Sequence, residues 1–370
     1  MKKSKNLIYT AILGLIILVF LFFLEANKFK FGMAYTVLQK GMILVVVAVS
    51  MNLVTGFTGL FSLGQAGFMA IGAYVTAIFL IPVDSINEVY YISGINPTIL
   101  NFKTWLESGP AFTHALIPYI ALVIGGLVAA VFAAVIGYPV LRLKSDYLAI
   151  ATLGFSEIVR AIISSPQMDR ITNGSYGLKK IEGFTSIFEI FGVMVVCVLL
   201  MVLLLRSTYG RAFRAIREDE IAAEAMGINL SKHKQMSFII GSFFSAISGG
   251  MLAMFMRSID SKTFSVALTY DILLIVVIGG IGSVTGSVIA ALIVTLSKEW
   301  WLRFFDNPLF IGDFQVPLFR TGFRMVIFSV ILVLVVLFYQ RGIMGKNEFS
   351  WTRLEKRIRN LFRKRGAKNA

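Results

Sequence analysis

Cysteine is almost absent from this chain. Cys197 stands alone, so neither an intrachain disulfide nor a cysteine-built zinc site can form. Histidine is nearly as scarce: His114 and His233 lie far apart, and each reads as a loop residue. Charge is thin. Only 15% of the 370 residues are charged and 57% are hydrophobic, where a soluble domain carries about 25% charged residues. A chain so short of charge cannot build a water-facing shell, which excludes a soluble globular protein. Catalytic signatures are missing as well. There is no G-x-x-x-x-G-K-[ST] phosphate loop, HExxH, CxxC or G-x-S-x-G, and Gly345-Lys346 is followed by Asn347. The expectation is a protein that is not an enzyme, with no metal site and no cofactor of its own.

What the chain has is long apolar runs, at 7–24, 34–54, 62–81, 115–141, 147–164, 187–205, 236–256, 268–297 and 322–339. About 20 apolar residues cross a bilayer as a helix, so the fold class is all-α, a polytopic membrane protein. The first run follows Lys2, Lys3 and Lys5 and reads as a retained anchor rather than a cleaved signal. Basic residues mark inner loops. They crowd 206–235, with Arg206, Arg211, Arg214, Arg217, Lys232 and Lys234, and the tail from Arg341 to Lys368, whereas 82–114 has only Lys103 against Asp84, Glu88 and Glu107. Both termini and 206–235 are therefore expected to be cytoplasmic and 82–114 outside. Nine single crossings would put the tail on the wrong side. The run 268–297, interrupted at Gly279-Gly280-Ile281-Gly282, would be about 45 Å long as one helix; read as two short segments it gives about ten and restores parity. The expected organisation is a membrane domain over 1–340 and a basic tail over 341–370. The +15 net charge then suits anionic lipid at the inner surface and requires no nucleic acid.

Two stretches are dense in small residues: Thr55–Gly67, and Gly279–Gly286. In a membrane, broken backbone survives only where protein or a water-filled cavity satisfies it, and paired broken segments often mark a transport pathway. The pathway is therefore expected at Gly56, Gly59, Ser62, Gly64 and Gln65, at Gly279, Gly280 and Gly282, and at Asn173 and Gly174 of an outer turn cluster. Close helix packing through small residues is the alternative. Asn173-Gly174-Ser175 also matches a glycosylation acceptor. Lys40, Glu157, Arg160 and Asp271 are the notable charges inside apolar runs; they read as functional candidates or as snorkelling side chains, with Glu157 and Arg160 spaced to pair.

In the inner loop, residues 218–226 are expected to form a short helix. Glu218, Asp219 and Glu220 favour its positive end and Gly227 its left-handed stop. Ala222, Ala223 and Met226 would share one face, and Glu220 and Glu224 another. The loop from Ser207 to Asn229 resembles the coupling loop of ABC importer permeases, specifically the M-type permease subunit of branched-chain amino acid importers. Gly56–Gly67 leading into Ile71-Gly72-Ala73-Tyr74, Arg142–Ala149, Thr172-Asn173-Gly174 with Gly177-Leu178, and Gly279–Ala290 are similar to that family too. One departure is Gln65, where the family commonly has histidine after Ser-Leu-Gly.

The resemblance covers roughly 35 to 340. It implies a ten-segment, type II importer-like fold working by alternating access. Its partners would be an H-type permease, two ATPase subunits that use ATP and magnesium, and an extracytoplasmic binding protein. The cargo would be leucine, isoleucine or valine, with urea or short amides as the alternative, in a bacterial or archaeal cell membrane. It assigns ATPase coupling to Glu220, Ala222, Ala223, Glu224, Met226 and Gly227. A rival from another class, an ion-coupled secondary transporter, is disfavoured by the scarcity of carboxylates in the spans. The topology has a direct check: in a Cys197→Ser background, Ser231→Cys and Asn101→Cys should react with an impermeant thiol reagent from opposite sides of the membrane, and labelling from one side would refute the map.

Overall fold

The structure, a computed structural model, describes residues 2–338 except 92–93, 108–110, 144, 303–305, 307–309, 312–313 and 316–322, together with 342–345 and 348. Its helices are α1 (Lys2–Ala26), α2 (Gly32–Met51), α3 (Gln65–Leu80), α4 (Ile86–Val89), α5 (Pro97–Glu107), α6 (Ala111–Val140), α7 (Ser145–Ile163), α8 (Asp169–Thr172), α9 (Ile187–Arg206), α10 (Thr208–Glu218), α11 (Glu220–Ala225), α12 (Leu230–Met256), α13 (Val266–Gly279), α14 (Val284–Leu296) and α15 (Phe323–Phe338). The strands among the described residues are a two-residue antiparallel pair in which Phe310 faces Gln315. Among the described residues five helices are long and apolar enough to cross a bilayer singly, and α3 and α7 each run into a sharply bent continuation, at 102° and 60°. The shorter helices α13, α14 and α15 are also apolar and bring the apolar helical segments among the described residues to ten, the number read from hydropathy. The 268–297 run is two helices, broken at Gly280.

The valine-rich Val45–Val49 stretch of α2 would favour a strand in water, but in lipid a helix is the way one segment can satisfy its own backbone. α2 and its continuation to Phe57 form the centre, 89% buried, whereas the apolar window of α1 is 11% buried. Residues such as Leu15, Val19 and Phe22 on α1 and Val330 and Leu334 on α15 face outward and suit hydrocarbon. Between helices in lipid the hydrophobic drive is absent, so close van der Waals packing has to hold them. α3 and α12 meet where Gly72 lies on the Ala246 backbone and Gly249 on that of Met69, and α6 joins them with Gly125 against Gly72.

The segment 82–114, expected outside and otherwise unreadable from sequence, is pinned by its own lysine. Lys103 on α5 is buried and donates to the carbonyls of Ile78 and Ile81 at the end of α3, a cation on the negative end of a helix. Tyr90 donates to the Ile171 carbonyl at 2.7 Å, and burial pushes its phenol well above the usual range, so it remains a neutral donor. Leu178 and Ile259 exchange backbone bonds at 2.9 and 2.8 Å and tie the chain before α9 to the chain after α12.

A β-carbon at Gly72 would collide with three backbone atoms of Ala246, whereas one at Gly14 meets nothing. Gly72→Leu should therefore cost several kcal/mol through overpacking and helix separation, beyond the ordinary ~1–3 kcal/mol. In detergent its monodisperse peak should be lost, and Gly14→Leu should keep it.

Candidate functional site

Two broken stretches of backbone meet at one end of the bundle. After Met51 the second helix widens into a π-turn, Asn52–Phe57, a form that often marks functional positions. The turn aims Asn52 at the Gly280–Gly286 break, some 230 residues away. The fully buried amide donates to Ser283 O at 2.9 Å, to Ser287 Oγ at 2.7 Å and, more weakly, to Gly280 O at 3.4 Å. Its oxygen accepts from Gly282 N at 2.8 Å. Gly280 and Gly282 hold φ of +111° and +92°, conformations open to glycine at little cost. Gly56 is glycine for space: a β-carbon there would overlap Asn52 and lie 2.6 Å from Gly282 N. Gly279 rests on the backbone of Gly286, holding α13 against α14.

Residues 342–345 and Glu348, placed by sequence in the basic tail, close over the same break. Ile343 N and Met344 N donate to the carbonyls of Ile278 and Gly279, at 2.7 and 3.2 Å, satisfying orphan acceptors at the end of α13. The Glu348 carboxylate accepts from Val284 N at 2.8 Å and from Thr285 N at 3.1 Å, an anion on the positive end of α14. The remaining tail, with its basic residues and expected lipid contact, lies outside the described residues.

From the first break the chain runs extended into the bundle. Leu63 N finds Thr152 Oγ1 at 2.9 Å and Gly67 N finds Ser156 Oγ at 3.2 Å; these hydroxyls of α7 stand in for the turn that α3 lacks before its start. Gln65 opens α3 about midway along α12, where Ser245 donates to its Oε1 and bonds Ser50 at 2.8 Å. Gly56, Ser62, Gly64 and Gln65 are buried within this one subunit. Of the expected pathway residues, Gly59 borders a pocket, of about 370 Å³, shared with Arg142, Glu220 and Lys234.

The loop over 206–235 differs from its expected form. Instead of one helix over 218–226 it makes two. Glu218 ends α10, and Asp219 is the cap of α11 rather than part of its first turn, accepting from Ile221 N and Ala222 N at 2.9 and 3.0 Å. Gly227 takes the left-handed stop at φ +83°, as expected. The alanine face does not hold. Ala223 is 4% exposed and turned into its own chain, so a large residue there would disturb the fold itself; Ala222 is exposed with Ile221 at 82% and Met226 at 83%. Glu220 pairs with Lys234 at 2.6 Å, while Glu224 is exposed. The residue that sequence reasoning missed is Arg217, in the last turn of α10. Its guanidinium donates to Gly56 O and lies against Gly282, and its stem lies against Gly59, which has φ +81°. One side chain thus touches both breaks from the loop. Its place in a basic loop gave no signal to single it out.

Asn173 and Gly174 sit at the opposite end. Asn173 is buried in a left-handed turn and donates to Val89 O at 3.0 Å and Gly177 O at 2.8 Å. It builds this turn, and an amide so enclosed is not a glycan acceptor. The four charges inside apolar runs are all paired: Lys40 with Glu299, Asp271 with Lys298, and Glu157 with Arg160. Among the described residues no group of three or more His, Cys, Asp or Glu is placed to hold a metal.

Residues 33–338 match the family described as branched-chain amino acid transport system, permease component. The chain is 32% identical over 310 residues to the high-affinity branched-chain amino acid transport system permease protein LivM of Salmonella typhimurium, covering 74% of this chain and 65% of that protein. It thus spans just under two thirds of that relative. It is 23% identical to the probable LivM of Methanocaldococcus jannaschii, covering 85% of this chain and 94% of that one, and 24% identical to Salmonella typhimurium LivH, covering 89% and 97%. No solved structure matches. With ten apolar segments, two mated glycine breaks and a family match over most of its length, the chain belongs to the branched-chain amino acid transport permease family.

Proposed function

We propose that this chain is the membrane-spanning permease subunit of an ABC importer and forms the translocation pathway for leucine, isoleucine and valine. It works by alternating access driven by ATP, which partner subunits hydrolyse with magnesium. The observation that carries the reading is Arg217. An ATPase gripping the exposed Ile221 and Ala222 of α11 and Met226 just after it would move α10 with it, and Arg217 would carry that motion to Gly56 and Gly282. The glycine breaks then act as the hinge beside the pathway, since backbone with few helical bonds bends where a helix resists. Glu224 is free to meet a basic group on the ATPase.

The relatives named LivM and LivH support a pair of unlike permeases, with two ATPases and an extracytoplasmic binding protein completing the importer. The basic loop and tail support a cytoplasmic face at that end, with anionic lipid at the tail, in a bacterial or archaeal cell membrane. An ion-coupled transporter is less well supported, because Glu157, Asp271 and Glu299 are held in ion pairs. Urea and short amides remain the rival cargo.

Met226→Arg should leave the permease in the membrane and remove the co-purifying ATPase. Arg217→Gln should keep the ATPase bound and lower uptake about tenfold or more, the scale of a lost charged hydrogen bond, ~1.5–3 kcal/mol. Co-purification with uptake in reconstituted vesicles reads both. A fully active Arg217→Gln complex would remove the coupling role. Isoleucine and valine, but not urea, should compete with labelled leucine.

A further inference from the structure

α7 is the most two-faced of the long helices. Leu148, Thr152, Phe155, Ser156 and Val159 turn inward, while Tyr147, Ile150, Ile158 and Ile162 face out. Glu157 and Arg160 share the outward side, 32% and 37% exposed. Charge facing lipid within a span is costly and calls for a reason.

The other charges in the spans have a structural one. Lys40–Glu299 ties α2 to the turn after α14, and Asp271–Lys298 ties α13 to the same turn, with Lys298 also 5.2 Å from the Phe328 ring of α15. The α7 pair lies within one helix and joins nothing. Snorkelling does not account for it either. Ile163 ends α7 beside the outer turn, where its carbonyl accepts from Thr172, and a snorkelling Arg160 would extend that way. It turns back instead toward Glu157, deeper in the span. Both guanidinium contacts, from Nε at 2.9 Å and from a terminal nitrogen, fall on Glu157 Oε2; Oε1 accepts no bond among the described residues. One turn deeper, Gly154 leaves a notch between Ile150 and Ile158, with nothing within 4 Å of where a β-carbon would stand.

We propose that this face of α7 lines the water-filled translocation route and that Glu157 and Arg160 hold the two charged ends of a zwitterionic amino acid, ammonium on Glu157 and carboxylate on Arg160, with the aliphatic side chain against Ile150, Gly154 and Ile158. The pair screens itself in the empty route and offers one carboxylate oxygen and the rest of a guanidinium fork to a passing cargo. A neutral amide such as urea could use hydrogen bonds here but not both charges. The inference rests on the permease reading and gives that reading its contact residues.

The test uses the importer assembled with its partner permease, ATPases and binding protein in vesicles. In a Cys197→Ser background, the Gly154→Cys thiol should react with a charged, membrane-impermeant thiosulfonate, and leucine should slow the reaction. No reaction overturns the proposal, whether the face is covered by lipid or by a partner helix, and this arm holds even for an importer of another cargo. Glu157→Gln and Arg160→Gln should each raise the KM for leucine about tenfold or more, with the subunits still assembled. The exchange Glu157→Arg with Arg160→Glu separates cargo contact from structural pairing. It restores the ion pair but reverses its order, so KM should stay high. A normal KM in the exchanged protein would show that the pair only neutralises itself. Wild-type vesicles that ignore leucine but carry urea would refute the cargo reading while the labelling still decided the route.

Discussion

A backbone amide or carbonyl that leaves its helix inside a membrane protein has no water to turn to, and the architecture here follows from meeting that demand at one place. The break between α13 and α14 frees carbonyls and amides at the heart of one end of the bundle. Asn52 answers four polar atoms with one side chain, and an unmet buried group would cost about 1–3 kcal/mol each. For its amide to reach, the π-turn must rotate it toward the break, Gly56 must have no side chain, and α2 must lie against α14. Several glycines of both runs are thereby accounted for by one amide.

Serine and threonine do similar service on a smaller scale. Thr152 and Ser156 receive the amides that lead into α3, and Ser50 and Ser245 receive Gln65. These polar contacts run along the seam where α2, α3, α7 and α12 meet, and the close glycine contacts of α3 with α12 share that seam. Packing and hydrogen bonding therefore specify the same neighbours. A helix shifted by one residue would lose both, which fixes the register of a bundle whose apolar surfaces alone would slide in lipid.

Hydropathy made the ten segments legible, because span length is set by bilayer thickness. Glycine density likewise located the break at Gly280, because φ values above +90° restrict the residue. Contacts between distant positions were not legible. Asn52 sits inside a run of valines and methionines with nothing in its sequence surroundings to announce a partner near residue 283. Arg217 is one of several arginines in its loop, and only its place at the end of α10 sends it toward Gly56. The alanine face of α11 failed for a related reason. Helical periodicity says which residues share a face; it does not say which face the neighbouring α10 and α12 will cover, and they cover Ala223.

The clasp formed by Ile343, Met344 and Glu348 has a consequence for biogenesis. The groups it satisfies, at the end of α13 and the start of α14, are made some 60 residues before it. During synthesis Asn52 is available early, but the carbonyls of Ile278 and Gly279 stay without these partners until α15 has been inserted and the ribosome has passed residue 348. This end of the bundle is thus finished last, by the stretch that emerges after α15, so a chain truncated just beyond α15 would carry α1 to α15 and still leave this junction unclosed.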